Sequence, residues 1–409
     1  MFRENKLMRH LDFGILITVI VLIIIGLVAI YSATYASESQ SGHLNFKRQL
    51  IWVTFGLLIF TAIIFVPLRF FYKYAYSFYF VSVFLLFLVL IFGTGSGTRR
   101  WLSIGPVGIQ PAEFAKIAVV LALAKYLSQD NRNLDHIRDI GMAFGIVLIP
   151  FLFVMRQPDL GSALVFLALI LPIMQWAGLS PVVLFVLLAP LVSFICAFNY
   201  YSFLIAILII SLVLFLFQRG VVFFLINFII NIGVGIFTPI LWNILKEYQK
   251  KRILTFLGMV TDPQGLGYQI IQSKVAIGSG GFLGKGFLQG TQTHLRFLPE
   301  QHTDFIFCVI GEEFGFIGVV LILTLFLYLI LKSMNIAATV KSKFSSLLVF
   351  GGIIILLFQI TINVGMTVGI MPVTGLPLPF LSYGGSSLLS NLIIIGLILN
   401  ASRRRFEYL

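Results

Sequence analysis

The sequence has little charge. Asp, Glu, Lys and Arg together make up 11% of its 409 residues, whereas an ordinary soluble domain has roughly 25%. The hydrophobic fraction is 59% and the mean hydropathy is +1.04. This composition excludes a soluble globular fold and predicts a protein that crosses a membrane many times.

Cysteine is equally scarce. The chain has two cysteines, Cys196 and Cys308, and each lies in an apolar segment, where a free cysteine behaves as a small hydrophobic residue. Their number and separation exclude a disulfide framework and a cysteine-based metal site.

Segments that alternate polar and apolar residues are also missing. A membrane β-barrel needs this alternation in strands of about ten residues, and runs such as ILITVIVLIIIGLVAIY lack it. The sequence therefore predicts an all-α fold, a polytopic transmembrane helical bundle of about 12 spans, since one span needs roughly 20 apolar residues. The spans are predicted near 12–32, 50–67, 74–93, 112–128, 139–155, 161–177, 181–198, 201–217, 220–244, 305–331, 346–371 and 385–400.

Basic residues determine the predicted orientation. Outside the polar run 246–304, most Lys and Arg residues lie on the side of the N-terminus, and short cytoplasmic loops are enriched in both. We therefore expect cytoplasmic termini and an outward-facing loop 246–304. The same signal and contact with anionic lipid account for the net charge of +13, so nucleic-acid binding is not expected. The first apolar segment lacks a small-residue cleavage site and is predicted to be retained as a helix.

No stretch is polar and long enough for a soluble domain, so residues 1–409 are predicted to form one membrane domain. In its outer loop, 246–304, YQKKRILTFLG has the pattern of an interfacial helix. GYQIIQSKVAIG has the pattern of a short re-entrant helix that carries Gln272 and Lys274. An outer loop has no access to ATP or nucleotide sugars, so a bond-forming reaction there requires a substrate that is already activated.

A glycine cluster, GSGGFLGKG (278–286), follows this segment. It suits either a backbone nest for phosphate oxygens or flexible turns. It is not a Walker loop, because Ser279 and Gly286 stand where GxxxxGK[ST] needs a glycine and a Ser or Thr.

The segment IQPAEFAK places two charges at the start of an apolar helix. Pro111 suits the first helical position, and Glu113 lies in the first turn, where a carboxylate interacts favourably with the helix dipole. Lys116 lies one turn further on the same face, and a charge inside a span usually faces a cavity or a partner. Glu113 is therefore suited either to a helix start or to the lining of a cavity.

Other charges flank the spans. Arg100 and Trp101 suit either an anionic headgroup with a stacked sugar or anchoring at the interface. Asp159, in MRQPDLGSA, suits either a helix cap or a cavity. Glu312 and Glu313 are adjacent carboxylates in one span, which is costly, so at least one is expected to face water or a cation.

Four long motifs extend over nearly the whole chain: DPQGLGYQIIQSKVAIGSGGFLGKGFLQGTQTHLRFLPEQHTDFIF (262–307), WLSIGPVGIQPAEFAK, RQPDLGSA and PLPFLSYGGS. They resemble the SEDS family of shape, elongation, division and sporulation proteins. Within that family, GKG, GTQ and LPEQHTDFIF resemble RodA members more than FtsW members. The family usually has ten spans, so 181–198 and 201–217 are two extra ones, and Ala112 replaces the serine of its QPSE motif.

The resemblance implies a peptidoglycan glycosyltransferase on the outer face of the bacterial cytoplasmic membrane. Its substrate would be lipid II, the undecaprenyl-diphosphate-linked disaccharide-pentapeptide, polymerised during cell elongation. Its partners would be a class B penicillin-binding protein transpeptidase, which cross-links the glycan, and the elongation machinery. The family's essential aspartate corresponds to Asp262, which we expect to act as the base for the acceptor hydroxyl or to orient the acceptor.

The leaving diphosphate needs positive charge. Lys116, Lys274 and Arg100 are expected to supply it, with a divalent cation, Mg²⁺ or Mn²⁺, as the candidate cofactor and no nucleotide. Metal ligands are not assigned. The predicted substrate-binding residues are Arg100, Trp101, Gln110, Glu113, Lys116, Asp159, Gln272, Lys274, Glu300, His302, Thr303 and Ser382.

Two other functions fit parts of the pattern. A lipid II flippase or another transporter would also have intramembrane charges and interrupted helices, but the sequence has no inverted repeat and its polar residues gather on one face. A scaffold that only recruits the cross-linking enzyme would tolerate substitution of Asp262.

Overall fold

The computed structural model describes residues 12–35, 40–95, 99–104, 107–130, 132, 134, 136–217, 220–244, 250, 266–294 and 300–407. The chain divides into two compact units. The first consists of Met1–Arg132, Arg138–Ala177 and Asp262–Leu409, and the second of Asn133–Ile137 and Gly178–Thr261.

Helices dominate the described part of the chain. They are α1 (Phe13–Tyr35), α2 (Gln40–Phe65), α3 (Leu68–Phe92), α4 (Pro111–Leu127), α5 (Ile137–Arg156), α6 (Leu160–Trp176), α7 (Pro181–Cys196), α8 (Tyr200–Leu216), α9 (Val221–Ile244), α10 (Leu266–Ser279), α11 (Thr291–His294), α12 (Ile306–Thr339), α13 (Lys343–Thr367) and α14 (Gly385–Arg403). Two short strands, β1 (Leu102–Ile104) and β2 (Val107–Ile109), precede α4.

Each predicted span corresponds to a helix, namely α1 to α9 and α12 to α14. Among the described residues, eight helices are long and apolar enough to cross a membrane: α1, α2, α3, α5, α9, α12, α13 and α14. The helices α4, α6, α7 and α8 have only 16 or 17 residues. A polytopic helical membrane protein is therefore confirmed, whereas the number of twelve spans stays a prediction.

The helix α4 lies at the centre of the first unit, where it packs against α3, α6, α13 and α14. Of its side chains only Phe114 and Lys125 are not buried. A helix that is apolar on all sides is typical of a fully enclosed position. The charges of Glu113 and Lys116 therefore lie inside protein, away from lipid.

The helix α14 packs along α2 and satisfies its C-terminal end. The last carbonyl groups of a helix have no partner within that helix. Here the Asn400 side-chain amide donates to the carbonyls of Ile63 and Val66, each at 2.7 Å. The Arg403 guanidinium donates to the Ile64 carbonyl at 3.2 Å. These bonds fix the end of α2 to the last turns of α14.

The 34-residue helix α12 is interrupted near its start. Gly315 has φ 64° and ψ −157°, a region that is essentially restricted to glycine. In an unbroken helix the Phe316 and Ile317 amides would donate to the carbonyls four residues earlier. Instead they donate to the carbonyls of Gly281 and Phe282, at 3.0 and 3.3 Å.

The glycine-rich turn supplies both the acceptors and the donors that the interrupted helix lacks. The carbonyls of Glu312 and Glu313 accept from the Lys285 and Gly286 amides, each at 3.0 Å. Gly284 has φ +84°, and a Cβ there would lie against the Glu313 carbonyl. The glycines of 280–286 therefore allow one backbone to approach another, which neither interpretation of the glycine cluster included. We call residues 281–286 and their four hydrogen bonds to 312–317 the backbone clasp.

The hairpin β1–β2 was not part of the predicted all-α fold. It pairs Leu102 with Ile109 in antiparallel register. The sequence signal for this hairpin is the pair of segments WLSI and VGI on either side of Gly-Pro. The strands have only three residues each, which is shorter than the runs that a sequence pattern can identify as strands.

The second unit contains α7, α8 and α9, which pack against one another. Two polar contacts lie within it: the Ser193 hydroxyl donates to the Asn231 side-chain oxygen at 2.8 Å, and the Asn231 amide donates to the Asn227 carbonyl at 2.7 Å. The two extra segments predicted at 181–198 and 201–217 are thus α7 and α8 of this unit.

Substitution of Gly315 should destabilise the first unit. Gly315→Ala places a side chain in a backbone conformation that costs about 1–3 kcal/mol and against the backbone of Leu283 and Gly284. Thermal melting of the purified protein should show a lower Tm. The matched control is Gly141→Ala, an exposed position in α5 with no atom near the added Cβ, where the Tm should hold or rise. Equal melting of Gly315→Ala and wild type would contradict the account of the break.

Candidate active site

Trp101 is fixed at the base of the hairpin. Its amide donates to the Thr94 carbonyl at 3.2 Å, and its carbonyl accepts from the Thr94 amide at 2.8 Å. A Cβ on Gly108 would lie 3.4 Å from Cε3 of the indole, so the ring covers this glycine. The side chain is 36% exposed. The hairpin therefore presents one face of the indole outward, as stacking on a ligand would require.

A cavity of about 700 Å³ adjoins this indole. The described residues of its wall are mostly apolar and aromatic, and Arg48 on α2 adds a cationic side chain. Volumes of this size are typical of small-molecule sites. The lining residues are Arg48, Ile51, Trp52, Phe55, Trp101, Gly108, Ile109, Tyr383, Gly384, Gly385 and Leu389.

Asp159 joins three elements next to the hairpin. As the N-cap of α6 it accepts from the Ser162 amide at 3.2 Å. Its other oxygen accepts from the Gln110 side-chain amide at 3.0 Å. The Arg100 guanidinium lies 3.7 Å from Asp159 and donates to the Pro158 carbonyl at 2.6 Å. The helix-cap interpretation of Asp159 is thus confirmed, and the same carboxylate also organises a polar cluster with Gln110 and Arg100.

Glu113 and Lys116 form a buried ion pair on α4. The Lys116 ammonium donates to Glu113 Oε1 at 2.7 Å, and the side chains are 1% and 2% exposed. The second carboxylate oxygen, Oε2, accepts from the Ser390 hydroxyl of α14 at 3.0 Å. Removal of one partner would leave an uncompensated charge in a low-dielectric interior, at a cost of about 3–5 kcal/mol.

These polar groups continue directly into the cavity wall. Ile109 and Gly385 line the cavity. The next residue of each segment, Gln110 and Ser386, forms a hydrogen bond in which the Gln110 amide donates to the Ser386 hydroxyl at 3.0 Å. One turn further into the bundle, Ser390 and Glu113 form the contact described above. The cavity therefore ends at a ladder of polar contacts between α4 and α14.

His302 lies beside the cavity residue Tyr383. Their ring centroids are 5.4 Å apart, and the Tyr383 amide donates to the His302 carbonyl at 2.9 Å. Burial lowers the pKa of the His302 imidazole, and the Glu300 carboxylate opposes this effect. Since the ordinary value is about 6.5, this shift favours the neutral imidazole at pH 7.

The other predicted residues have local partners. Thr303 donates to the carbonyl and the carboxylate of Glu300, which holds a turn in which Glu300 has φ +53°. The Ser382 hydroxyl accepts from the Leu378 amide at 2.8 Å and is buried. These contacts stabilise loop backbone.

Gln272 and Lys274 lie on α10, which packs against α12 and α13. Lys274 lies beside Gly369, and in the described part of the chain no hydrogen bond joins it to the Glu113–Lys116 pair. Asp262 and the predicted interfacial segment 248–258 lie outside the described residues, apart from Lys250.

Several residues at this site were not predicted from the sequence. Ser386 and Ser390 lie four positions apart on one face of α14, and Arg48, Trp52 and Phe55 share a face of α2. This helical spacing was the available signal. The sequence of an apolar helix does not show which neighbouring side chains it contacts. These residues can therefore be assigned to the site only once the packing of the helices is known.

Three carboxylates of the described residues face cationic side chains. Glu113 faces Lys116, Asp159 faces Arg100, and Glu312 faces Lys285. No group of three or more His, Cys, Asp or Glu side chains that could hold a metal occurs among the described residues. The charges of these three carboxylates are therefore already compensated by side chains of the protein.

The chain matches known proteins over its whole length. It is 34% identical to peptidoglycan glycosyltransferase MrdB of Escherichia coli, with 97% of this chain and 94% of that protein covered. It is 36% identical to stage V sporulation protein E of Bacillus subtilis, with 96% and 97% covered.

Solved structures share the fold. One is a chain from a peptidoglycan synthase complex, studied for the coordination of polymerization and crosslinking, with a TM-score of 0.71, 30% identity, and 97% and 99% covered. Another is the rod shape determining protein RodA of Thermus thermophilus, with a TM-score of 0.64, 27% identity, and 97% and 98% covered.

A protein-family model described as cell cycle protein, FtsW/RodA/SpoVE, matches residues 13–207 and 183–407. Identities above 30% to members over nearly the full length agree with this match. The chain belongs to the FtsW, RodA and SpoVE family, which is the SEDS family that its motifs resemble.

Proposed function

We propose that this protein is a peptidoglycan glycosyltransferase that polymerises lipid II on the outer face of the bacterial cytoplasmic membrane. The observation that carries the proposal is the continuity between the apolar cavity and the polar ladder of α4 and α14. The ladder occurs in a chain that is 34% identical to a protein named as such an enzyme.

The cavity suits a substrate with chemically different parts. Trp52, Phe55 and Leu389 offer an apolar surface, which an isoprenoid chain can bury at about 25 cal/mol per Å². Trp101 offers an aromatic face to a sugar ring. We therefore place the lipid-linked sugar with its ring against the indole and its chain along α2.

Positive charge for the diphosphate is best supplied by Arg48 and Arg100. Arg48 lines the cavity, and Arg100 precedes Trp101 with a side chain that is 25% exposed. Lys116 was expected to meet the diphosphate directly, but its ammonium is buried against Glu113. We infer that the pair keeps the start of α4 in place and that direct contact with the diphosphate would require it to open.

The reaction itself needs a base. An acceptor hydroxyl attacks the anomeric carbon of the donor sugar, a glycosidic bond forms, and the lipid diphosphate leaves as the hydroxyl proton passes to the base. Asp262 is proposed as this base, or as the group that orients the acceptor, on the family resemblance. A positioned base contributes roughly 10²–10⁴-fold.

The remaining parts of the proposal concern the cellular setting. Both termini are placed in the cytoplasm because of the basic residues on that side. A class B penicillin-binding protein and the elongation machinery are proposed as partners, and the similarity to a chain of a peptidoglycan synthase complex supports an assembly of this kind. Mg²⁺ or Mn²⁺ remains a proposal from the reaction chemistry alone.

Asp262→Asn should abolish polymerisation. The substitution keeps the size of the side chain and removes its basicity, so we expect a loss of at least about 10²-fold. Glycan strands made from purified lipid II, with and without the cross-linking partner, give the measurement. Asp130→Asn, at an exposed position, is the matched control and should polymerise at the wild-type rate. Wild-type activity in folded Asp262→Asn would contradict the assignment. Translocation of the headgroup by wild type without polymer would favour a flippase.

Lys116→Met should lower both stability and polymerisation. It leaves the buried Glu113 carboxylate without its cation, which costs about 3–5 kcal/mol, so the Tm should fall. The double variant Glu113→Gln/Lys116→Met removes both charges and should recover most of the Tm. Its polymerisation rate should stay at least tenfold below wild type, because the polar ladder then lacks its charges. A double variant with wild-type activity would show that the pair serves stability alone.

A further inference from the structure

The side chain of Glu312 is a heavily hydrogen-bonded carboxylate. It lies on α12, is completely buried, and accepts hydrogen bonds from one short segment, 285–293. Oε1 accepts from Lys285 Nζ at 2.7 Å, the Thr291 hydroxyl at 3.2 Å and the Gln292 amide at 2.9 Å. Oε2 accepts from the Thr293 amide at 3.1 Å and the Thr293 hydroxyl at 2.8 Å.

The charge of this carboxylate is fully compensated. Lys285 supplies one positive charge, with a side chain that is 26% exposed, and four further donors satisfy the lone pairs. Hydrogen bonds to an ionised group are about twice as strong as neutral ones. Buried and paired in this way, Glu312 is a structural anchor with no free capacity for substrate.

The backbone clasp also holds the segment 285–293 on α12. In it, the Lys285 and Gly286 amides donate hydrogen bonds to the carbonyls of Glu312 and Glu313. The neighbouring carboxylate of Glu313 accepts from the Ser32 hydroxyl of α1. Residues 281–293 therefore follow the position of α12, and α12 is tied to α1.

The backbone clasp also fixes the C-terminal end of α10. This helix ends at Ser279, and Gly280 leads directly into the clasp. Along its length α10 packs on α12 and α13, with the Ser273 hydroxyl donating to the Thr367 carbonyl at 2.5 Å. The predicted base Asp262 precedes α10 by only a few residues. An element fixed at its C-terminal end and along one face has little freedom to move at its N-terminal end.

We propose that Glu312 is a positioning residue for the polymerase reaction. Its carboxylate holds 285–293 against α12, and through the clasp this keeps α10 in the orientation that the reaction requires. Glu312 does not contact the substrate. The inference rests on the proposed function, and Glu312 is not among the site residues predicted from the sequence.

Two substitutions test the anchor in steps. Glu312→Gln removes the charge, and Thr293→Val removes a single hydrogen bond from a buried side chain without changing its shape, while Thr293→Ser keeps that hydroxyl. Glu407→Gln is the matched control, since the Glu407 side chain is 54% exposed and pairs with Arg404 at 3.5 Å. The readouts are hydrogen exchange of amides 285–293 by mass spectrometry, the Tm, and the kcat and KM for lipid II polymerisation.

We expect Glu312→Gln to raise exchange in 285–293 by about tenfold or more, since hydrogen bonds to an ionised group are about twice as strong as those to a neutral one. The kcat should fall by at least about tenfold, with KM within about twofold of wild type. Thr293→Val should show about a threefold change in both exchange and kcat. Thr293→Ser and Glu407→Gln should match wild type, and exchange in α4 and α14 should be unchanged in all variants.

The outcomes separate this inference from the proposed function. If wild type makes no glycan from lipid II, the proposed function is wrong, whatever the variants do. If wild type polymerises and Glu312→Gln or Thr293→Val keeps the wild-type kcat, the positioning role is wrong. A uniform rise of exchange through α4 and α14 together with a lower Tm would also overturn it, since that pattern indicates a role in overall stability. Should Glu312→Gln fail to fold, the comparison of Thr293→Val with Thr293→Ser decides.

Discussion

In an apolar environment every backbone N–H and C=O needs a partner within the protein, because an unsatisfied group costs several kcal/mol. The first unit depends on how this constraint is met where its helices stop or break. At Gly315 the helical ladder opens, and the backbone clasp supplies both the missing acceptors and the missing donors. At the end of α2 the donors are side chains of α14. The irregular places of the fold are thus the places where distant parts of the chain are joined.

The buried charges follow the same logic. Glu113 is paired within its own helix at the i, i+3 spacing, whereas Glu312 is paired with a loop residue far away in sequence. The first pair fixes the start of the central helix α4 next to the cavity, and the second fixes the loop that follows α10. Charge is scarce in this chain, and each of these two buried pairs fixes the position of one element.

The parts that sequence reasoning predicted are local. They are the helix start at Pro111 and Glu113, the cap at Asp159 and the twelve helices themselves. Each depends on neighbours within one or two turns, so it can be predicted from the local sequence pattern. The contacts of Gln110 with Asp159, of Ser390 with Glu113 and of Lys285 with Glu312 join residues that only packing brings together. The function of the glycines at 280–286 was missed for the same reason, because the backbone that they approach belongs to another helix.

The position of α14 has a consequence for biosynthesis. A ribosome completes this helix after every other described one, yet Asn400 and Arg403 satisfy the end of α2, Ser386 accepts from the start of α4, and Ser390 donates to Glu113. Until α14 enters the bilayer, the earliest helices have carbonyl groups and a carboxylate without these partners. Closure of the bundle is therefore a late event of membrane insertion. In a nascent chain halted before α14, the central Glu113–Lys116 pair lacks the helix that covers it and the hydroxyl that bonds Glu113.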